Sequence, residues 1–246
     1  MKSILLTPLL LIILIAFTDC STSQQQTIQT DPVDITAQAV LNRYIAAIGG
    51  KEAFESVADK TTVMSGTASD QPIRIMIIQK NPDKLYQELS AGEIKQTIIY
   101  NGIKGLMIVG DEQIEIEDKE LERLKYDAAI HLPLDPESYG IKTELHSNVE
   151  VDSVDCYKVT YTLPSGLKWF QYYSSASGLK IKEVKEIQTT QGIFEQETYY
   201  SDYKETDGLK YPYTVKQYFG TQELDLKVTS IEINSGIEDE TFEIEE

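Results

Sequence analysis

Two histidines, two cysteines and forty acidic side chains are the material for chemistry in this 246-residue chain. His131 falls in the segment His131-Leu132-Pro133-Leu134-Asp135-Pro136, and His146 stands in a strand or its flank. Neither has a partner at the spacing of HExxH or CxxC, so no metal site is expected. Cys156 would need a base beside it to act as a nucleophile, and Tyr157-Lys158-Val159 supply none. A buried structural thiol is the expectation there. Glu115-Ile116-Glu117 and Glu243-Ile244-Glu245 read as solvated charge runs, and no two carboxylates stand out as acid and base. The sequence has no GxSxG, GxxxxGK[ST] or GxGxxG. The residues therefore point to binding without catalysis, metal or cofactor.

Cys20 has a different character. Met1-Lys2 and the apolar run from Ile4 to Phe17 have the layout of an export signal, and the run is shorter than the ~20 residues that span a bilayer. An apolar run that reaches Cys20 resembles a bacterial lipoprotein signal. It implies acylation of Cys20 and an anchored protein of the periplasm or outer membrane; export without lipidation is the alternative. Ser21 to Asp31 is polar and aperiodic, which suits a flexible tether over 21–33. The folded domain is expected over 34–246. A net charge of −18 argues against nucleic-acid phosphates and against adsorption to anionic lipid.

The positioning elements centre on residues 72–109. Ile73, Ile75 and Ile77 fall two apart and give one strand face that is continuously apolar. Asn81-Pro82-Asp83 breaks that strand, and Asn101-Gly102 predicts a two-residue hairpin turn. Before this region, Ala37, Val40, Leu41, Tyr44, Ile45 and Ile48 mark an amphipathic helix, with Asp34 as its cap and Gly49-Gly50 as its stop. A second helix is expected over Lys119 to Ile130, with Leu121, Leu124 and Ala128 inward and Glu122 and Tyr126 outward. Tyr157, Val159 and Tyr161 alternate with polar residues, and Leu224, Leu226 and Val228 share a face. Together these predict a mainly β, α+β fold: a strongly curved antiparallel sheet or incomplete β-barrel of about ten to twelve strands, lidded by two or more helices. Fifteen tyrosines suit half-buried strand positions, and also a carbohydrate-binding face.

Lys80-Asn81-Pro82, Lys84-Leu85-Tyr86, Asn101-Gly102, Leu106-Met107 and the ending VTSIEINSGIEDETFEI resemble the outer-membrane lipoprotein-sorting superfamily, the LolA/LolB-like carriers. Asn81 stands where those carriers have an arginine that latches the lid, and Met107 where they have a tryptophan. The resemblance implies a half-barrel that holds acyl chains of a lipid or lipoprotein without a cofactor, in lipid or lipoprotein trafficking. Ile73, Ile75, Ile77, Tyr157, Val159, Tyr161, Leu224, Leu226 and Val228 are then the expected cavity residues, with Leu41, Tyr44 and Ile48 on a lid helix. The expected partners are a lipid or acylated protein, the membrane through Cys20, and other envelope proteins. The reading from another class is an interaction module with a filled barrel.

Overall fold

The computed structural model describes residues 35–68, 71–189 and 192–244; the leader, Cys20 and the tether lie outside the described residues. Six strands come first: β1 (Asp59–Ala68), β2 (Gln71–Lys80), β3 (Lys84–Ala91), β4 (Ile94–Tyr100), β5 (Gly105–Val109) and β6 (Glu112–Ile116). Seven follow: β7 (Lys142–Val151), β8 (Val154–Thr162), β9 (Lys168–Ser174), β10 (Lys180–Thr189), β11 (Gly192–Thr206), β12 (Leu209–Phe219) and β13 (Gln222–Ile233). They form one antiparallel sheet in the order β6-β5-β4-β3-β2-β1-β13-β12-β11-β10-β9-β8-β7. The last strand thus pairs with the first, and the edges β6 and β7 are consecutive in sequence. The sheet is curved and unclosed.

The connection between the two edges lies across the inner face. It carries α3 (Asp118–Ala128) and two short 3₁₀ turns, Leu132–Leu134 and Pro136–Tyr139. Leu124 and Ala128 pack with Leu85 and Tyr100 of β3 and β4. Tyr126, expected on the solvent side, is buried and meets Trp169 of β9 edge to face at 6.2 Å. Because α3 is held between two walls of the curled sheet, opposite sides of the helix are covered. A single apolar stripe understates that.

Helix α1 (Ala37–Ile48) and the short α2 (Lys51–Glu55) close one end. Thr36, not Asp34, caps α1: its Oγ1 accepts from the Ala39 amide at 3.1 Å. Gly49 ends the helix at φ +139°, where a Cβ would come within 2.3 Å of the Gly208 carbonyl oxygen. Only glycine allows that approach. Leu41 packs with Val159, Tyr161 and Tyr173, while Ile45 and Ile48 pack with Phe54, Val57 and Leu209.

The expected two-residue turn at Asn101-Gly102 is a four-residue loop, Asn101 to Lys104. The Asn101 side-chain oxygen accepts from the Ile103 and Lys104 amides, so asparagine builds the turn through its side chain. The pairing of strand β7 with β8 slips by one residue between His146 and Val149.

The C-terminal segment covers the outer face. Phe242 is buried with Ile78 and Ile99, Asp239 pairs with Lys80 and Lys84 at 2.7 and 3.0 Å, and buried Asp59 accepts from the Ser235 and Gly236 amides.

Candidate functional site: an open apolar trough

Residues directly opposite in an antiparallel pair share a face, as do residues two apart in a strand. Ile75 pairs with Met64 and Leu89, Leu89 with Gln96, and Gln96 with Val109. Met107 pairs with Ile114. On the other side, Ile73 pairs with Gly66, Gly66 with Leu226, and Leu226 with Val215. Phe219 pairs with Gln196, two residues from Phe194. One inner face therefore carries Ile114, Val109, Ile94, Leu89, Ile75, Met64, Leu226, Val215, Phe219 and Phe194, from β6 round to β11.

The ends of that arc are uncovered. Ile94, Val109, Ile114, Phe194 and Phe219 are between 37% and 63% exposed, and they are five of the eight large hydrophobic side chains exposed among the described residues. Phe194 and Phe219 stack with centroids 6.0 Å apart. All five stand near the turns that join β3 to β4, β5 to β6, β10 to β11 and β12 to β13, at the end of the sheet away from α1. The floor between them is tight: Ile73, Ile75, Met64, Val215, Leu226 and Val228 form one buried cluster, with Ile77 and Leu224 packed against it.

The expected cavity residues therefore separate. Ile73, Ile75, Leu226 and Val228 lie in one buried cluster of the inner face, the floor between the exposed rim residues, with Ile77 and Leu224 packed against it. Tyr157, Val159 and Tyr161 lie in a different cluster, beneath Leu41 and Tyr44 of α1. Ile48 belongs to the end cap. The rim residues were missed because strand alternation gives the face of a side chain, and only the tertiary arrangement shows which of them nothing covers.

A belt of charge crosses the inner face between trough and end cap. Lys185 Nζ pairs with Asp127 at 2.7 Å and Glu183 at 3.1 Å. Lys180 pairs with Glu183 at 3.0 Å, and Arg123 with Asp127 at 2.6 Å. Burial alone would raise the Glu183 carboxyl, but Lys180 and Lys185 outweigh it and hold it at about 2. Burial would lower the Lys185 ammonium, but Asp127 and Glu183 keep it above the usual lysine range. Both groups are ionised at neutral pH, and Lys185 is tied to α3 through Asp127. Neither is poised to exchange a proton.

Gln79 donates to the Asp127 carbonyl at 2.7 Å. Asn81 bonds the Val57 carbonyl and contacts His131, whose Nε2 lies 3.0 Å from the Phe54 carbonyl. Where an arginine latch was absent from the sequence, Asn81 and His131 join the β2–β3 turn to the connection after α3. His146 stands in β7 opposite Lys158, and Cys156 is fully buried, its thiol pushed up by burial and by Asp155. Among the described residues no group of three His, Cys, Asp or Glu side chains could hold a metal ion.

The outer face carries a groove of about 690 Å³ lined in part by Tyr199, Tyr218, Glu197 and Lys216. Lys182 Nζ sits 4.7 Å from the Tyr199 centroid, and the Tyr218 ring meets Tyr199 edge to face at 5.8 Å.

The fold is shared with solved structures. A LolA superfamily protein from Nitrosomonas europaea superposes with a TM-score of 0.56 at 14% identity, over 85% of this chain and 98% of its own. A DUF1329 family protein from Desulfovibrio piger gives 0.55 at 11%, over 84% and 97%. A domain from Vibrio parahaemolyticus, named for outer membrane lipoprotein sorting, gives 0.53 at 11%, over 83% and 95%. No family model matches the chain, and no curated protein matches it in sequence. At these identities the fold is what is shared: an unclosed antiparallel barrel with a helical lid. No helix among the described residues is long and apolar enough to cross a membrane.

Proposed function

We propose that this protein is a non-enzymatic envelope carrier or receptor that holds the acyl chain of a lipid or lipoprotein in its inner trough. The observation that carries this reading is that exposed Ile94, Val109, Ile114, Phe194 and Phe219 all stand on the inner face at one end of a curved sheet. Exposed apolar area of this kind marks a binding surface. Each methylene it removes from water contributes about 0.8 kcal/mol, so a long chain is held without specific polar contacts. The fold shared with a lipoprotein-sorting domain and a LolA superfamily protein supports the same reading.

In this proposal residues 1–20 direct export, Cys20 carries the lipid anchor, 21–33 form the tether, and 34–246 form the ligand-binding domain. The test is lipid extraction and mass spectrometry on the purified protein, with an acyl probe added where it purifies empty. A stoichiometric lipid, or saturable probe uptake, is the expected result. A lipid-free protein that refuses the probe would favour an interaction module.

A further inference from the structure

Lys60 is an inward-facing lysine that the ion pairs of the inner face do not include. In β1 the inward residues are Lys60, Thr62, Met64 and Gly66, which pair with Gln79, Ile77, Ile75 and Ile73 of β2. Lys60 also pairs with Ile233 of β13, which packs in the cluster beneath α1 and α2. Its ammonium lies 5.5 Å from the centroid of the Tyr211 ring. Among the described residues no carboxylate and no hydrogen-bond acceptor pairs with it. The charged group that acts on it is Lys180, which repels it, while Asp207 acts on the neighbouring Tyr211; Lys180 itself is paired with Glu183.

A half-buried ammonium without a counter-ion is costly. Lys180 and Lys185 on the same face are each paired with Glu183. Lys60 stands six residues from Gly66 along β1, about 20 Å of strand, with the apolar floor between them. It is the closed-end terminus of the trough whose open end is rimmed by Phe194 and Phe219.

We propose that Lys60 receives the anionic head, a carboxylate or phosphate, of an amphiphile whose apolar tail lies along the trough. This rests on the trough reading given above and names the ligand class as anionic. The Tyr211 ring positions the ammonium by a cation–π contact that leaves its N–H donors available. Burial, and then Lys180, bring the amine down to about 8, so it is still charged at neutral pH, and an incoming anion relieves both penalties.

The test is competition against a neutral alkyl fluorophore by palmitate, methyl palmitate and hexadecyl phosphate, on wild type, Lys60→Met and Lys60→Arg. Wild type is expected to prefer the acid or the phosphate over the ester by at least about tenfold, the worth of one charge-assisted hydrogen bond. The preferred anion identifies the head group. Lys60→Met is expected to lose that margin with ester affinity unchanged, Lys60→Arg to keep it, and Lys60→Met to melt no lower than wild type. A wild type that treats acid, phosphate and ester alike, a Met variant that keeps the margin, or equal loss for ester and acid would overturn the anion site and leave the trough standing. A Met variant that melts well below wild type would show a structural role and overturn it also. A fluorophore that does not bind at all overturns the trough and the anion site together.

Discussion

Lys185 Nζ lies 2.7 Å from Asp127 Oδ1, so one ammonium joins β10 to the helix that spans the open side of the barrel. The opposite flank of α3 rests on Leu85 and Tyr100. The helix is therefore clamped by charge on one wall and by apolar packing on the other. Lys185→Ala is expected to destabilise the protein by about 2 kcal/mol. That is less than the ~3–5 kcal/mol of an isolated buried pair, because Asp127 keeps Arg123 and Glu183 keeps Lys180. Chemical denaturation gives the value, and faster proteolysis near α3 locates it.

The same cluster sets the response to acid. The Glu183 carboxyl is held at about 2 against an ordinary 4.5. A group depressed on folding contributes stability above its unfolded value and loses it as pH falls through its folded one. Melting temperature is thus expected to fall as pH drops from about 4.5 toward 2. Glu183→Gln should melt lower at neutral pH and flatten that limb. A variant with the wild-type slope would place the acid-labile group elsewhere.

The C-terminal segment is a structural strap in this fold. Phe242 is 1% exposed between Ile78 and Ile99, and Phe242→Ala is expected to cost about 3–5 kcal/mol. Asp239→Ala, which removes only exposed pairs with Lys80 and Lys84, should cost under about 1 kcal/mol. Equal effects in thermal melts would show that the ion pairs, not the ring, hold the strap.

Floor and rim of the trough should respond differently to charge. Leu226→Asp places a carboxylate where the side chain is 1% exposed and should destabilise by several kcal/mol. Ile94→Asp adds one where 63% of the residue already meets solvent. It should leave melting within about 0.5 kcal/mol.

Much of this architecture was legible because local chemistry and fold agree. Ile73, Ile75 and Ile77 alternate, and they do share the inner face of β2; Gly49 stops α1 as expected. What was not legible depends on neighbours distant in sequence. Tyr126 reads as outward until Trp169 arrives from β9. Tyr157, Val159 and Tyr161 have the same alternation as the floor residues, yet α1 covers them and leaves Phe219 bare. Lys60 reads as one more strand lysine until pairing places it opposite Gln79 and Ile233.

The most direct test of the central claim is titration of the full-length protein with a fluorescent acyl probe, alongside an Ile94→Asp/Phe219→Asp rim variant. Saturable binding by wild type, lost in a rim variant that melts like wild type, is the result this account predicts. Equal binding by both proteins, or none by wild type, would contradict it.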